Sequence, residues 1–138
     1  MRSLSEKAAP AFNQANPNMP GVYYQSWAGI ASPNGKLTPA QLAELRKLGP
    51  VNGPNPNAAA PLEAKLIPLH FGAMSRQNGT LNDGTVDVKS AMWGDYQGTV
   101  PMDHTDFAAQ RPDAEKSTGF DAVEFYRKMA EDLAKRGD

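Results

Sequence analysis

The chain has 138 residues, a length typical of one domain, and a formal net charge of −1 at pH 7. Hydrophobic residues make up 40% and charged residues 21%, which is typical of a globular protein and excludes an intrinsically disordered one. The chain has no basic patch that would indicate nucleic acid as a partner, and no apolar run near the roughly 20 residues that cross a bilayer. It has no cysteine, which excludes disulfides and thiolate metal sites.

The N-terminal part of the sequence predicts a helix and then a strand. Residues 3–15 favour a short helix that is broken or kinked at Pro10. Residues 22–27 are aromatic and β-branched and lie between Gly21 and Gly29, which predicts a strand. With 12 glycines and 12 prolines in the chain, we expect short elements separated by many turns.

A second helix has clear signals at both ends. Thr38 and Gln41 form a capping-box pattern with Pro39 at the first helical position, and Gly49-Pro50 ends the helix. Three leucines, at positions 42, 45 and 48, form one apolar stripe along it.

The next stretch is less regular. Residues 50–61 are rich in proline and asparagine and predict a loop. Residues 62–71 predict a short helix that breaks at Pro68. A second aromatic segment follows at 92–96.

The last helix has the clearest pattern in the chain. Asp121 is the predicted N-cap with Glu124 three residues later, and Phe120 and Phe125 can form a hydrophobic staple around it. Gly137 is placed to end the helix.

Four short motifs follow one another along the chain. They are Ala11-Phe12-Asn13, the segment from Gly21 to Gly29, Asn82-Asp83-Gly84 and His104-Thr105-Asp106. Their order and spacing resemble those of the bacterial true lipases, which are secreted triacylglycerol hydrolases of the α/β-hydrolase fold. The last helix, with Phe125-Tyr126-Arg127, also resembles the final helix of that family, so the resemblance spans nearly the whole chain.

This resemblance implies an α/β fold class, with residues 1–138 as the C-terminal part of an α/β-hydrolase domain: an incomplete sheet, flanking helices and a lid-like insertion. The sequence contains no Gly-x-Ser-x-Gly, so the nucleophile elbow of the family is missing, as is the oxyanion-hole segment that precedes it. We therefore expect a fragment, a truncated reading frame or one half of a split protein, with the missing N-terminal half as a partner.

By resemblance, Asp83 is the acid of a serine–histidine–aspartate triad and His104 is its general base. Asp83 precedes His104, which is the chain order of this fold. Each residue also has a simpler interpretation. Asn82-Asp83-Gly84 is a favoured tight-turn sequence, and His104 could be a surface histidine paired with neighbouring carboxylates.

The resemblance also implies a structural calcium ion. In the calcium-dependent members of the family, the carboxylate two residues after the catalytic histidine and a later backbone carbonyl bind the ion, which here correspond to Asp106 and Gln110. Hard oxygen ligands of this kind suit calcium. Glu63 lies at roughly the position of a second family carboxylate, although its context differs. The alternative is that Asp106 caps a helix starting near Phe107.

Residues 30–61 fall where the family has its lid, and the leucine stripe would suit a flap that faces lipid. The alternative is that these leucines pack on the core. His70, in an apolar stretch, is more typical of a hydrogen-bonded core or lid residue than of a catalyst. Ser26 and Ser75 lack flanking glycines, so neither is expected to replace the nucleophile.

The sequence thus predicts a carboxylic-ester hydrolase of the lipase or esterase type, acting on an ester or lipid substrate and lacking its serine in this chain. The alternative is a non-catalytic calcium-binding or interaction module derived from a hydrolase. The resemblance implies an extracellular protein, although the first residues lack the apolar core of a signal peptide.

Overall fold

A computed structural model describes residues 9–77, 81–108 and 114–137. The helices are α1 (Ala9–Ala15), α2 (Pro39–Leu48), α3 (Ile67–Gln77), α4 (Val88–Ala91), α5 (Ala114–Thr118) and α6 (Ala122–Arg136). The strands are β1 (Gln25–Gly29), β2 (Ala31–Ser32), β3 (Ala60–Pro61) and β4 (Asp95–Val100), and single 3-10 turns cover Ala64–Leu66 and Asp106–Ala108. Helices and parallel strands together make a mixed α/β structure, which is compatible with part of an α/β fold.

The main sheet consists of β1 and β4 in parallel. Their register runs from Gln25 opposite Asp95 to Gly29 opposite Val100. The far side of β4 is partly covered, because the N–H of Thr99 donates to the carbonyl of Pro50 at 2.9 Å. Along the other side of β1, no strand is paired within the described residues.

Two buried clusters lie around the end of β1. The larger one contains Ala28, Ile30, Leu45, Ala59, Leu81 and Val88, and the smaller one Ala31, Ala60, Leu62 and Leu66. The short parallel pair β2–β3 contributes to the smaller cluster and joins residues that are distant in sequence. Within the described ranges, none of the helices has the length and apolar composition that crossing a bilayer requires.

Both capped helices form as predicted. Thr38 and Gln41 make a reciprocal capping box at the start of α2. Asp121 accepts from the N–H of Glu124 at 2.8 Å at the start of α6, and Gly137 ends that helix in the left-handed conformation. The rings of Phe120 and Phe125 lie 5.6 Å apart, as the hydrophobic staple requires.

The predicted proline break at Pro68 is wrong, because Pro68 lies in the first turn of α3, after the 3-10 turn Ala64–Leu66. Pro10 lies in α1, and the predicted break or kink there stays a prediction. A proline in the first turn lacks only an N–H that would have no partner inside the helix, so it starts a helix without breaking it. Residues 3–8 of the first predicted helix lie outside the described residues.

Two of the three leucines in the α2 stripe pack on the core. Leu45 is 1% exposed and belongs to the larger cluster, and Leu48 packs against that cluster. The alternative prediction, that these leucines pack on the core, therefore describes the structure. A lid movement of residues 30–61 stays a prediction.

Candidate functional site

Asp83 lies on a turn between Leu81 and Val88, where its side chain is 7% exposed. Its Oδ1 accepts hydrogen bonds from the N–H groups of Thr85 and Val86, at 2.9 and 2.7 Å. The turn geometry that the sequence suggested is thus present, and it satisfies one carboxylate oxygen with backbone donors. The other oxygen, Oδ2, remains for a different partner.

His104 lies on the loop that follows β4, and its ring provides that partner. Nδ1 of His104 lies 2.9 Å from Oδ2 of Asp83, and the N–H of His104 donates to the carbonyl of Asp83, also at 2.9 Å. The two residues are 21 positions apart in sequence. The structure therefore brings together the predicted acid and base through both side chain and backbone.

The geometry orients the imidazole. A carboxylate at neutral pH only accepts hydrogen bonds, so Nδ1 carries the proton and Nε2 of the neutral ring has a free lone pair. The His104 side chain is 48% exposed, and no described residue is hydrogen-bonded to Nε2. This arrangement can accept a proton from a hydroxyl group that approaches Nε2.

Gly29, at the end of β1, allows the two loops to approach each other. A Cβ at this position would lie 2.6 Å from the carbonyl oxygen of Met102, 2.7 Å from the ring of Phe107 and 2.8 Å from Cβ of Asp83. Real Cβ atoms do not approach so closely, so only glycine fits here. Sequence reasoning used Gly29 as a strand boundary and as the end of a family motif, and it missed this packing role.

Asp103, next to the imidazole, is fully buried and organises the loop. Its Oδ1 accepts from the N–H of Thr105 at 2.8 Å and the N–H of Asp106 at 3.0 Å, and its Oδ2 accepts from the N–H of Glu63 at 2.9 Å. Oδ2 of Asp106 in turn accepts from the N–H of Asp103 at 2.8 Å. Asp103 and Asp106 thus form a reciprocal capping box. A cap by Asp106 on a helix starting near Phe107 stays a prediction, because residues 109–113 lie outside the described residues.

The predicted calcium ligands are only partly described. Asp106 is 3% exposed, while Gln110 lies outside the described residues. Glu63 is near the same loop, since the hydroxyl of Thr105 donates to its Oε2 at 3.1 Å, but this oxygen also pairs with Lys65 at 3.0 Å. Within 9–77, 81–108 and 114–137, no group of three or more His, Asp or Glu side chains could hold a metal ion. These residues alone do not supply the six to eight ligands of calcium.

His70, Ser26 and Ser75 are not part of the Asp83–His104 couple. His70 is 2% exposed and its Nδ1 lies 2.6 Å from Oδ1 of Asn82, which agrees with a hydrogen-bonded core residue. Ser26 lies in β1, where its hydroxyl accepts from the N–H of Trp93 at 2.8 Å. Ser75 lies in the last turn of α3.

A cavity of about 430 Å³ lies between α6 and the main sheet, and neither Asp83 nor His104 lines it. Its walls include Trp27, Gln97, Phe120, Phe125, Lys128 and Arg136. Nε1 of Trp27 is buried without a hydrogen-bond partner among the described residues. Sequence reasoning did not predict this cavity, because it depends on how α6 packs against strands that are distant in sequence.

Comparison with known proteins gives one relative of described function. The chain is 32% identical over 74 residues to triacylglycerol lipase 2 of Saccharomyces cerevisiae. The aligned part is 45% of this chain and 23% of the relative, so the chain matches less than a quarter of that lipase. No family model matches the chain, and no solved structure matches it. The similarity supports a relationship to lipases.

Proposed function

We propose that this chain supplies the acid and the base of the catalytic triad of a lipase or esterase, with Asp83 as the acid and His104 as the base. The observation that carries the proposal is the 2.9 Å contact between Nδ1 of His104 and Oδ2 of Asp83. The second oxygen of Asp83 already accepts two backbone N–H groups, so the carboxylate is fixed in the turn and oriented towards the ring.

In the proposed reaction, Nε2 of His104 accepts the proton of a serine hydroxyl as its oxygen attacks the ester carbonyl. The resulting imidazolium is stabilised by the carboxylate of Asp83 and then protonates the alcohol that leaves. Water attacks the acyl-serine in the same way, which releases the carboxylic acid and restores the serine.

The serine of this scheme belongs to polypeptide outside the 138 residues, because no Gly-x-Ser-x-Gly occurs in them. Within the described residues, one side of β1 has no paired strand, and this supports a position there for that polypeptide. A further parallel strand there would end at the same edge of the sheet as Gly29, beside the Asp83 and His104 loops. The 15-residue helix α6 also has no fully buried residue, and its Val123 and Tyr126 are exposed, which leaves this part of its surface open to a further element.

An ester or lipid substrate is part of the proposal and is supported by the similarity to a triacylglycerol lipase. The proposal also includes a structural calcium ion, bound by Asp106 and the carbonyl of Gln110, and an extracellular location. Both rest on the family resemblance alone. None of the catalytic steps above depends on calcium.

The test uses the complete reading frame that contains this chain. We expect DNA upstream of the codon for Met1 to encode Gly-x-Ser-x-Gly, and the expressed protein to react with a fluorophosphonate at that serine, located by mass spectrometry. His104→Ala should abolish labelling, because the hydroxyl loses its base. Asp95→Asn is the matched control, since Asp95 is an exposed carboxylate that accepts from the hydroxyl of Tyr23 at 2.7 Å, away from the couple.

Labelling that survives His104→Ala at the unchanged rate would contradict the base role. A complete reading frame without the serine motif, in a protein that hydrolyses no ester, would favour the non-catalytic module instead.

A further inference from the structure

The buried imidazole of His70 contacts the turn that carries Asp83. His70 lies on α3 and is 2% exposed, and its Nδ1 lies 2.6 Å from Oδ1 of Asn82, the residue before Asp83. Asn82 is itself fully buried. The reaction proposed above uses neither of these two side chains.

The hydrogen bonds around Asn82 determine which nitrogen of His70 carries a proton. The N–H of Gly84 donates to Oδ1 of Asn82 at 2.8 Å, so this atom is an acceptor. His70 therefore donates to it from Nδ1. Nδ2 of Asn82 is buried and has no hydrogen-bond partner among the described residues, so the position of this side chain depends on the two donors at Oδ1.

Asn82 closes the turn in which Asp83 is the central residue. The bond from Gly84 to Asn82 spans Asp83, and the N–H of Ala31 donates to the carbonyl of Asn82 at 2.9 Å. Gly84 has a φ of +101°, and a Cβ there would lie 2.6 Å from Cδ2 of Leu62. The turn is thus packed tightly, and His70 is the side-chain donor that ties it to α3.

The same part of the chain also contacts the loop of His104. The N–H of Glu63 donates to Oδ2 of Asp103 at 2.9 Å, and Oε2 of Glu63 accepts from the hydroxyl of Thr105 at 3.1 Å. Residues 63–70 therefore contact both the turn that carries Asp83 and the loop that carries His104, in addition to the direct contact between Asp83 and His104.

We propose that His70 is a positioning residue, which fixes the turn at Asp83 through Asn82 and so sets the direction from which Asp83 meets His104. It touches neither substrate nor serine. This role rests on the proposed function, because the position of Asp83 matters for catalysis only if the couple reacts. The structural part of the role can be measured without any activity.

Long-range proton–nitrogen NMR spectra of the 138-residue chain report the tautomer of each imidazole, and His70 and His104 are its only histidines. At neutral pH we expect both rings to carry their hydrogen on Nδ1. A His70 ring with an unprotonated Nδ1 would overturn the proposal without any substitution, because the bond to Asn82 could not then exist.

Two substitutions test the effect on the couple. His70→Phe keeps a flat ring but removes the donor, and we expect His104 to lose its uniform Nδ1–H form and become the mixture of tautomers of an unconstrained imidazole. His70→Gln keeps an N–H donor and should preserve the Nδ1–H form. Asn82→Ala removes the acceptor and should give the same loss as His70→Phe, which provides a second variant if the phenylalanine chain does not fold.

Leu45→Ala is the control for destabilisation alone, since Leu45 is buried in α2 and belongs to the core cluster. It should lower the melting temperature and leave the His104 tautomer unchanged. In the protein that carries the serine, His70→Phe should lower kcat about tenfold or more, because small displacements of catalytic groups are costly, with KM little changed.

A His104 ring that keeps its Nδ1–H form in His70→Phe would overturn the positioning role. The expected tautomers in the 138-residue chain, together with a complete reading frame that hydrolyses no ester, would instead contradict the proposed function and leave the structural link from His70 to Asp83 intact.

Discussion

Replacing Gly29 by alanine should separate the two loops of the candidate site. The new Cβ would lie 2.6 Å from the carbonyl oxygen of Met102 and 2.8 Å from Cβ of Asp83, against ordinary contacts of 3.4 Å or more. Neither neighbour is the flexible end of a side chain, so the backbone of at least one loop has to move by several tenths of an ångström. Overpacking of this kind typically costs about 1–3 kcal/mol of folding free energy.

The assay is urea denaturation of the chain together with NMR of the His104 ring. We expect Gly29→Ala to lose about 1–3 kcal/mol of stability and to weaken the hydrogen bond between His104 and Asp83. Gly72→Ala is the matched control, because Gly72 lies inside α3 and a Cβ there meets nothing within 4 Å. Alanine favours a helix over glycine by roughly 0.5–1 kcal/mol, so this control should stabilise the chain. Equal stability of Gly29→Ala and the unsubstituted chain, with an unchanged His104 signal, would refute the argument from close packing.

Three further predictions concern activity, calcium and pH. The purified 138-residue chain should not hydrolyse p-nitrophenyl esters, because it lacks a serine elbow, and turnover that Ser26→Ala or Ser75→Ala abolishes would overturn the assignment of the nucleophile to other polypeptide. If Asp106 and Gln110 bind calcium, millimolar calcium should raise the melting temperature and Asp106→Ala should remove the increase, whereas identical melting curves with calcium and with chelator would count against the site. Burial raises the pKa of Tyr96 from 10.0 to about 12, and its buried hydroxyl has no hydrogen-bond partner among the described residues. Since the fold favours the neutral phenol, this contribution to stability is present below pH 10 and is lost as pH rises towards 12, so urea denaturation at several pH values should show a steeper alkaline loss for the unsubstituted chain than for Tyr96→Phe.

Sequence reasoning succeeded where the signals are local. The caps of α2 and α6 depend on residues within one helical turn, so Thr38, Asp121 and Gly137 could be placed without any tertiary information. The proximity of Asp83 and His104 followed from family resemblance and chain order, and the structure has them 2.9 Å apart. Their catalytic roles stay predictions.

The parts that sequence reasoning missed are contacts between distant segments. Residues 60–61 look like loop because they follow a proline- and asparagine-rich stretch, yet they pair with β2, which only the fold brings near. Asp103 looks like one more acidic residue beside a histidine, yet it is buried and its Oδ2 accepts from the N–H of Glu63, a residue 40 positions away. Likewise, the need for glycine at position 29 arises only when the two loops meet at the end of β1.

The most direct test of the central claim is the effect of Asp83→Asn on the rate of p-nitrophenyl butyrate hydrolysis by the complete reading frame. Asparagine keeps the size of the side chain but can present an amide N–H to Nδ1, which favours the wrong tautomer of His104. We predict a loss in kcat on the order of 10⁴-fold, as for other triads whose acid is changed to its amide, with Asp95→Asn retaining full activity. A fully active Asp83→Asn protein would contradict the assignment of Asp83 and His104 as the acid and base of a serine hydrolase.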